Sequence, residues 1–174
     1  MQNRYRQKTI IAIDVRAASF GFAVFEGHGR LLDWGVKSFR RGVNAVKIPA
    51  SRKMATLLEE FSPRTLVVRN YNRRDAKKRT AMLAAILAVG KKHRIPAHLI
   101  SKGVLTKAFA LNEQNKYAVA SAVAQQLPEL APKLPRKRKI WEGEDYRISI
   151  FDAAAAGIAY LKKQNQEPQI KVVH

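Results

Sequence analysis

The stretch "KTIIAIDVRAASFGFAVF", residues 8–25, decides the fold. An apolar run rises to one aspartate, Asp14, breaks at "VRAAS" and becomes apolar again. A run that is apolar on both faces is typical of a central strand, and the alternating "SFGFAVFEG" after the break predicts a second strand beside it. The sequence therefore places a carboxylate at the end of a buried strand.

The segments that follow predict a mixed sheet. "LLDWGVKSF" alternates again, which gives an antiparallel meander of three strands. "VNAVKIPASRKMATLLEEFSP" is helical in its later part, and the next strand, "RTLVVRN", should lie parallel to the first because a helix connects them. We expect a second helix in "AMLAAILAVGKKH", stopped by Gly90 and Pro96, then a last strand in "IPAHLI" and further helices, of which "ISIFDAAAAGIAYLKK" is the last.

The predicted architecture is an α/β fold with a five-stranded mixed sheet, three antiparallel strands continued by two parallel ones, flanked by helices. This is the plan of the RNase H-like fold. A chain of 174 residues suits one domain, which we assign to residues 1–163, with a polar tail over residues 164–174. In such sheets ligands bind beyond the strand ends where strand order reverses, and Asp14 lies at such an end.

The composition indicates a polyanionic partner. Lys and Arg outnumber Asp and Glu by 33 to 13, giving a formal net charge of +20. Such an excess generally indicates nucleic acid as the partner and less often an anionic membrane surface. No apolar run approaches the length of a membrane span. The absence of cysteine excludes disulfides, Cys-ligated zinc and thiol nucleophiles. We expect a cytoplasmic, nucleoid-associated protein.

Few carboxylates are available for metal-assisted phosphodiester hydrolysis, which needs acids from several segments around one or two Mg²⁺ ions. Asp14 and Asp152, from opposite ends of the chain and each in an apolar setting, form a candidate pair. Structural roles stay open for both residues. Asp14 could cap the "RAAS" turn, and Asp152 has the capping-box spacing from Ser149.

Four segments resemble the RuvC-type Holliday junction resolvases. "IIAIDVRAASFGFAVFEGHGRLLDWG" is similar to their opening, in which an aspartate ends the first strand and a Gly-aromatic pair begins the second. "FSPRTLVVRN" resembles the passage into their fourth strand, and "ISKGVLTKAFALNEQNKYAVASAV" resembles their lysine-bearing segment. "SIFDAAAAGIAY" resembles their final acidic helix.

This resemblance implies a metal-dependent endonuclease that resolves branched DNA in recombination and repair, generally as a homodimer. It makes Asp14 and Asp152 ligands of Mg²⁺ or Mn²⁺ and places Lys107 and Lys116 near the scissile phosphate or the DNA backbone. Two expected acids are missing, because the fourth strand ends in Arg69 where the family has a glutamate, and Ser149 replaces an acid before Asp152.

Arg69 limits the catalytic interpretation. A guanidinium beside Asp14 would compete with Mg²⁺ for the carboxylate and repel the ion. A third acid could come from Asp75, Glu144 or Asp145, although Asp145 would lie about 10 Å from Asp152 on a continuous helix. The "WEGED" segment would therefore have to be unwound, and its acids could equally serve only to neutralise "PRKRK".

Clustered cations mark the predicted nucleic-acid contacts, and Tyr71 among them could stack on an unpaired base. The predicted contact residues are Arg69, Tyr71, Arg73, Arg74, Lys77, Lys78, Arg79, Arg136, Lys137 and Arg138.

Three hypotheses follow from the sequence. The first is a RuvC-like nucleic-acid-binding protein that cleaves branched DNA with Mg²⁺. The second is a catalytically degenerate module of the same fold, in which Arg69 pairs with Asp14 and the protein only grips phosphates. The third is an RNA-processing nuclease of the same fold.

Overall fold

The computed structural model describes residues 9–40, 47–71, 79–111 and 116–166. Within them a five-stranded sheet has the order β3-β2-β1-β4-β5. Its strands are β1 Thr9–Val15, β2 Ser19–Glu26, β3 Arg30–Ser38, β4 Thr65–Arg69 and β5 Ala97–Ile100. The pairs β1-β2 and β2-β3 are antiparallel, whereas β1-β4 and β4-β5 are parallel. The predicted mixed sheet is confirmed.

The helices cover both faces of the sheet. They are α1 Lys47–Phe61, α2 Thr80–Lys92, α3 Lys102–Phe109, α4 Lys116–Gln126 and α5 Ile148–Gln166, with a short 3-10 segment over Pro128–Lys133. Helices α1 and α2 pack on one face, and α3, α4 and α5 pack on the other. Helix α5 extends three residues beyond the predicted domain boundary. None of the described helices is long and apolar enough to cross a membrane.

Strand β1 is fully buried and supplies both cores. Ile11, Ile13 and Val15 pack toward α1 and α2, whereas Ile10 and Ala12 pack toward the other three helices. Because side chains alternate along a strand, Asp14 belongs to the same face as Ile10 and Ala12. The aspartate therefore faces the side of the sheet that α5 covers.

Helix α5 lies unusually close to the sheet at its first turn. Asp14 pairs in register with Gly21 of β2, and a Cβ atom built on Gly21 would lie 2.2 Å from the backbone oxygen of Ser149. Only a residue without a side chain permits this approach. The close packing brings Asp152, one turn further along α5, to the end of β1 where Asp14 lies.

Two local predictions about helix ends are wrong. Helix α2 continues through Gly90 to Lys92, because Gly90 is a packing site: its Cβ would lie 2.8 Å from the side chain of Leu66. Ser149 is not the N-cap of the last helix, since the helix begins at Ile148 and the Ser149 hydroxyl donates to the carbonyl of Tyr146 at 2.8 Å. The capping-box interpretation of Asp152 is therefore wrong.

Candidate functional site

Three carboxylates converge on a single guanidinium at the end of β1. Arg16 lies in the tight turn after β1, where its backbone N–H donates to the carbonyl of Ser19 at 2.8 Å. Its Nε donates to Asp14 Oδ2 at 2.6 Å, and its Nη2 donates to Asp152 Oδ2 at 2.7 Å. Its Nη1 forms an ion pair with Glu144. Every nitrogen of the guanidinium fork thus contacts a different carboxylate.

Two further cations complete the cluster, which we call the carboxylate centre: Asp14, Asp152, Glu144, Arg16, Arg69 and Lys116. The guanidinium of Arg69 forms an ion pair with Asp152 Oδ1. The Lys116 ammonium donates to Glu144 Oε1 at 2.7 Å. Three formal negative charges therefore meet three formal positive charges, and the carboxylate centre is neutral as it stands.

The two aspartates are withdrawn from solvent. The side chain of Asp14 is 0% exposed and that of Asp152 is 2% exposed, whereas Glu144 retains 27%. Burial of an ionised carboxylate is costly unless it is paired and hydrogen-bonded. Arg16, itself only 17% exposed, supplies that pairing for both aspartates.

The protonation states fit this network. Burial, together with the neighbouring charge of Asp14, raises the pKa of Asp152 to about 6, and Arg69 and Arg16 limit the rise. Burial opposes ionisation of Glu144, but the hydrogen bond from Lys116 and the charge of Arg16 outweigh it and lower its pKa. Burial likewise opposes the charge of Arg16, yet Asp14 and the other carboxylates raise its pKa. Arg16 stays charged at every physiological pH.

Tyr71 contacts the second carboxylate oxygen of Asp14. Its hydroxyl donates to Asp14 Oδ1, so both oxygens of this carboxylate have partners. Burial, and then the carboxylates of Asp14 and Asp152, raise the pKa of Tyr71 above its usual range, which keeps the phenol protonated as a donor. The guanidinium carbons of Arg79 and Arg69 lie 3.7 and 5.0 Å from the centre of the ring. The ring predicted to stack on a base already stacks on Arg79.

The structure corrects the predicted partner of Arg69. The hypothesis of a catalytically degenerate module paired it with Asp14, but it pairs with Asp152, while Arg16 pairs with Asp14. The reason is that Arg16, two residues after Asp14, lies on the same face of the chain as this aspartate, and its guanidinium occupies the position beside Asp14 that was expected for Arg69. The same alternation is the signal in the sequence that could have identified Arg16.

Of the acids considered as a third metal ligand, Glu144 reaches the carboxylate centre and Asp145 does not. The "WEGED" segment precedes α5 and is not helical, and this lets Glu144 reach the carboxylate centre. Asp145 turns away and binds Arg147, whose Nη2 donates to Asp145 Oδ2 at 2.7 Å. Asp75 lies outside the described residues.

The predicted lysines and basic clusters lie in different parts of the structure. Lys116 belongs to the carboxylate centre, whereas Lys107 lines a groove with Ala159, Lys162 and Gln166 near the far end of α5. Arg136, Lys137 and Arg138 lie on the loop before α5, and Arg136 pairs with Glu142. The remaining predicted cations, Arg73, Arg74, Lys77 and Lys78, lie outside the described residues.

The carboxylate centre does not fit a divalent metal ion in this arrangement. A Mg²⁺ ion needs free carboxylate oxygens, and it usually uses one or two carboxylates together with water and substrate phosphates. Here both oxygens of Asp14 and both of Asp152 contact Arg16, Arg69 or Tyr71. Across the described ranges, no group of three or more Asp, Glu or His side chains is arranged to hold a metal ion.

The fold matches known Holliday junction resolvases. RuvC of Thermus thermophilus, solved in complex with a Holliday junction, superposes with a TM-score of 0.69 at 18% sequence identity, covering 92% of this chain and 97% of that one. The yeast mitochondrial Holliday junction resolvase gives a TM-score of 0.59 at 13% identity, covering 95% of this chain and 84% of that one.

The fowlpox virus resolvase, solved with Holliday junction DNA, gives a TM-score of 0.57 at 12% identity over 88% of this chain and 99% of that one. No family model matches the sequence. No curated protein matches it either. These similarities establish the RuvC-like, RNase H-like fold that the sequence predicted.

Proposed function

We propose that this chain, which has the RNase H-like fold of the RuvC-type Holliday junction resolvases, binds branched nucleic acid without cutting it, four-way DNA junctions foremost. The observation that carries the proposal is the set of cations at the carboxylate centre. Arg16 and Arg69 occupy the oxygens that a metal ion would need, and with Lys116 they balance the three carboxylates without one. The carboxylate centre then has a structural role.

The charge of the chain supports nucleic acid as the partner. A formal net charge of +20 on 174 residues gives a strong long-range attraction to a polyanion. The structural neighbours solved with a Holliday junction make a branched DNA the first substrate to test. We expect the chain to act in recombination or repair, as a homodimer whose basic residues bind the backbone phosphates of the strands that meet at the branch point.

A second candidate is a Mg²⁺-dependent endonuclease of branched DNA, and the convergence of three carboxylates favours it. Asp14, Asp152 and Glu144 would then be the metal ligands, with Lys116 beside them. This function requires Arg16 and Arg69 to leave the oxygens that they contact.

One experiment separates the two candidates. The purified protein is incubated with a labelled four-way junction, a matched duplex and a structured RNA, with and without Mg²⁺ or Mn²⁺. We expect retention of the junction and no metal-dependent cleavage. Cleavage that disappears in both Asp14→Asn and Asp152→Asn overturns the proposal in favour of the endonuclease, and preferential cutting of the RNA would indicate an RNA-processing nuclease.

A pair of charge reversals tests whether binding uses the loop before α5. Lys137→Glu changes an exposed residue of this loop, and Lys53→Glu makes the same change in net charge on α1, which covers the opposite face of the sheet. We expect Lys137→Glu to weaken junction binding more than Lys53→Glu does. Equal losses would show that only the overall charge matters.

A further inference from the structure

An exposed apolar tip lies on the loop between the 3-10 segment and α5. This loop, residues 134–147 with the sequence "LPRKRKIWEGEDYR", we call the basic loop. Ile140 is 98% exposed and Trp141 is 79% exposed, the two largest values among the large apolar residues of the described chain. Adjacent large apolar side chains held in water are unfavourable, and such a feature generally marks a contact site.

The basic loop is held in shape by its own polar contacts. Glu142 binds Arg136 and accepts the backbone N–H of Lys139 at 2.8 Å, and Arg138 Nη1 donates to the Glu142 carbonyl at 3.1 Å. These contacts close the chain around the tip, so that Trp141 points outward from an ordered turn. Glu144 ties the following residues to the carboxylate centre through Arg16 and Lys116.

A cavity of about 410 Å³ opens beneath the tip. Five cations line it, Lys116 and the run of basic residues 136–139, and they outnumber the two carboxylates of the lining, Glu144 and Asp145. Ile140, Tyr117 and Ile148 supply apolar surface. This volume lies within the range of small-molecule sites, and it suits an aromatic group that carries a negative charge. A nucleotide has this combination of a flat ring and a phosphate.

We propose that the basic loop captures an unpaired nucleotide, with Trp141 stacking on a base while the cations of the cavity contact its phosphates. The inference rests on the proposed function, and it adds a preference for branched or gapped substrates over closed duplex. Stacking on aromatic side chains requires a base whose face is free, and paired bases inside a duplex do not offer one. Lys139, whose ammonium lies 5.4 Å from the Trp141 ring centre, places a cation beside the stacking surface.

The sources of binding energy can be separated by fluorescence. The chain has two tryptophans, and Trp34 lies in β3 partly buried against the core, so Trp34→Phe leaves Trp141 as the only reporter. A strand of twelve thymidines and a polyphosphate of equal charge are titrated into this variant. We expect the strand to quench Trp141 and the polyphosphate to bind without comparable quenching. Equal quenching by both, or binding of the strand without quenching, overturns the inference.

Affinity measurements give the second test. Trp141→Ala and the control Leu99→Ala, which removes a 53% exposed apolar residue of β5, are compared on a junction with unpaired nucleotides and on a closed duplex. We expect Trp141→Ala to weaken junction binding roughly fivefold to hundredfold, the range for removal of one stacked base, and duplex binding by less than about twofold. Leu99→Ala should change neither.

The outcomes distinguish the inference from the function on which it rests. If the unmodified protein retains neither substrate, the proposed function is wrong and the inference is wrong with it. If the protein binds both and Trp141→Ala affects the two equally, or affects neither, only the inference is overturned.

Discussion

Replacement of Arg16 by alanine tests the carboxylate centre through protein stability. Among the residues that the structure describes, the substitution leaves Asp14 with only the Tyr71 hydroxyl, while Asp152 keeps Arg69 and Glu144 keeps Lys116. Removal of one partner from a buried ion pair costs about 3–5 kcal/mol, and the remaining partners argue for the lower end, about 3 kcal/mol. With a urea m-value of about 2 kcal/mol/M, the unfolding midpoint should fall by about 1.5 M.

Urea unfolding followed by tryptophan fluorescence measures this loss. The control is Arg30→Ala, because Arg30 pairs with Glu26 in the same sheet but is 72% exposed. An exposed pair contributes at most about 1 kcal/mol, so the control should shift the midpoint by less than about 0.5 M. Adding Asp14→Asn to Arg16→Ala should recover part of the loss, since it removes the charge that has lost its cationic partner. Equal shifts for Arg16→Ala and Arg30→Ala would refute a structural role for Arg16.

Three further predictions concern the phenol, the helix packing and the partner. The raised pKa of Tyr71 means that the folded state keeps a proton that the unfolded state loses above pH 10, so stability should fall by about 1.4 kcal/mol per pH unit there, and Tyr71→Phe should remove this contribution in urea titrations at alkaline pH. Gly21→Ala should destabilise the protein by about 3 kcal/mol because its Cβ meets the Ser149 backbone, whereas Gly143→Ala, with open space around it, should be nearly neutral in the same assay. The junction dissociation constant, measured by fluorescence anisotropy, should rise at least about a thousandfold between 50 and 200 mM salt if six or more phosphates are contacted, and a flat response would contradict the electrostatic argument.

The fold could be predicted because its signals are local and periodic. The apolar run of β1 and the helix between it and β4 together predict a central strand with a parallel neighbour, and the structure has both. Helix ends were less secure. A glycine near the end of a helical pattern usually marks the end of the helix, but Gly90 lies inside α2 and packs closely against Leu66. This contact joins distant parts of the chain, so the local sequence pattern does not reveal it.

The candidate site was predicted only in part. The structure brings Asp14 and Asp152 together, but both contact Arg16, a cation that no motif in the sequence singles out. Its two-residue spacing places Arg16 beside Asp14, but its contacts with Asp152 and Glu144 depend on how α5 packs on the sheet. The exposure of Trp141 could not be predicted from the sequence either, since an aromatic residue beside "PRKRK" can be buried or exposed.

The most direct test of the account is calorimetric titration of Mn²⁺ into the unmodified protein and into Arg16→Ala/Arg69→Glu, which removes both guanidiniums and adds an acid. The account predicts no binding heat above dilution for the unmodified protein and a binding isotherm for the double variant. Binding of Mn²⁺ by the unmodified protein that is abolished by Asp152→Asn would contradict it, because it would show that the arginines do not hold the carboxylate centre against a metal ion.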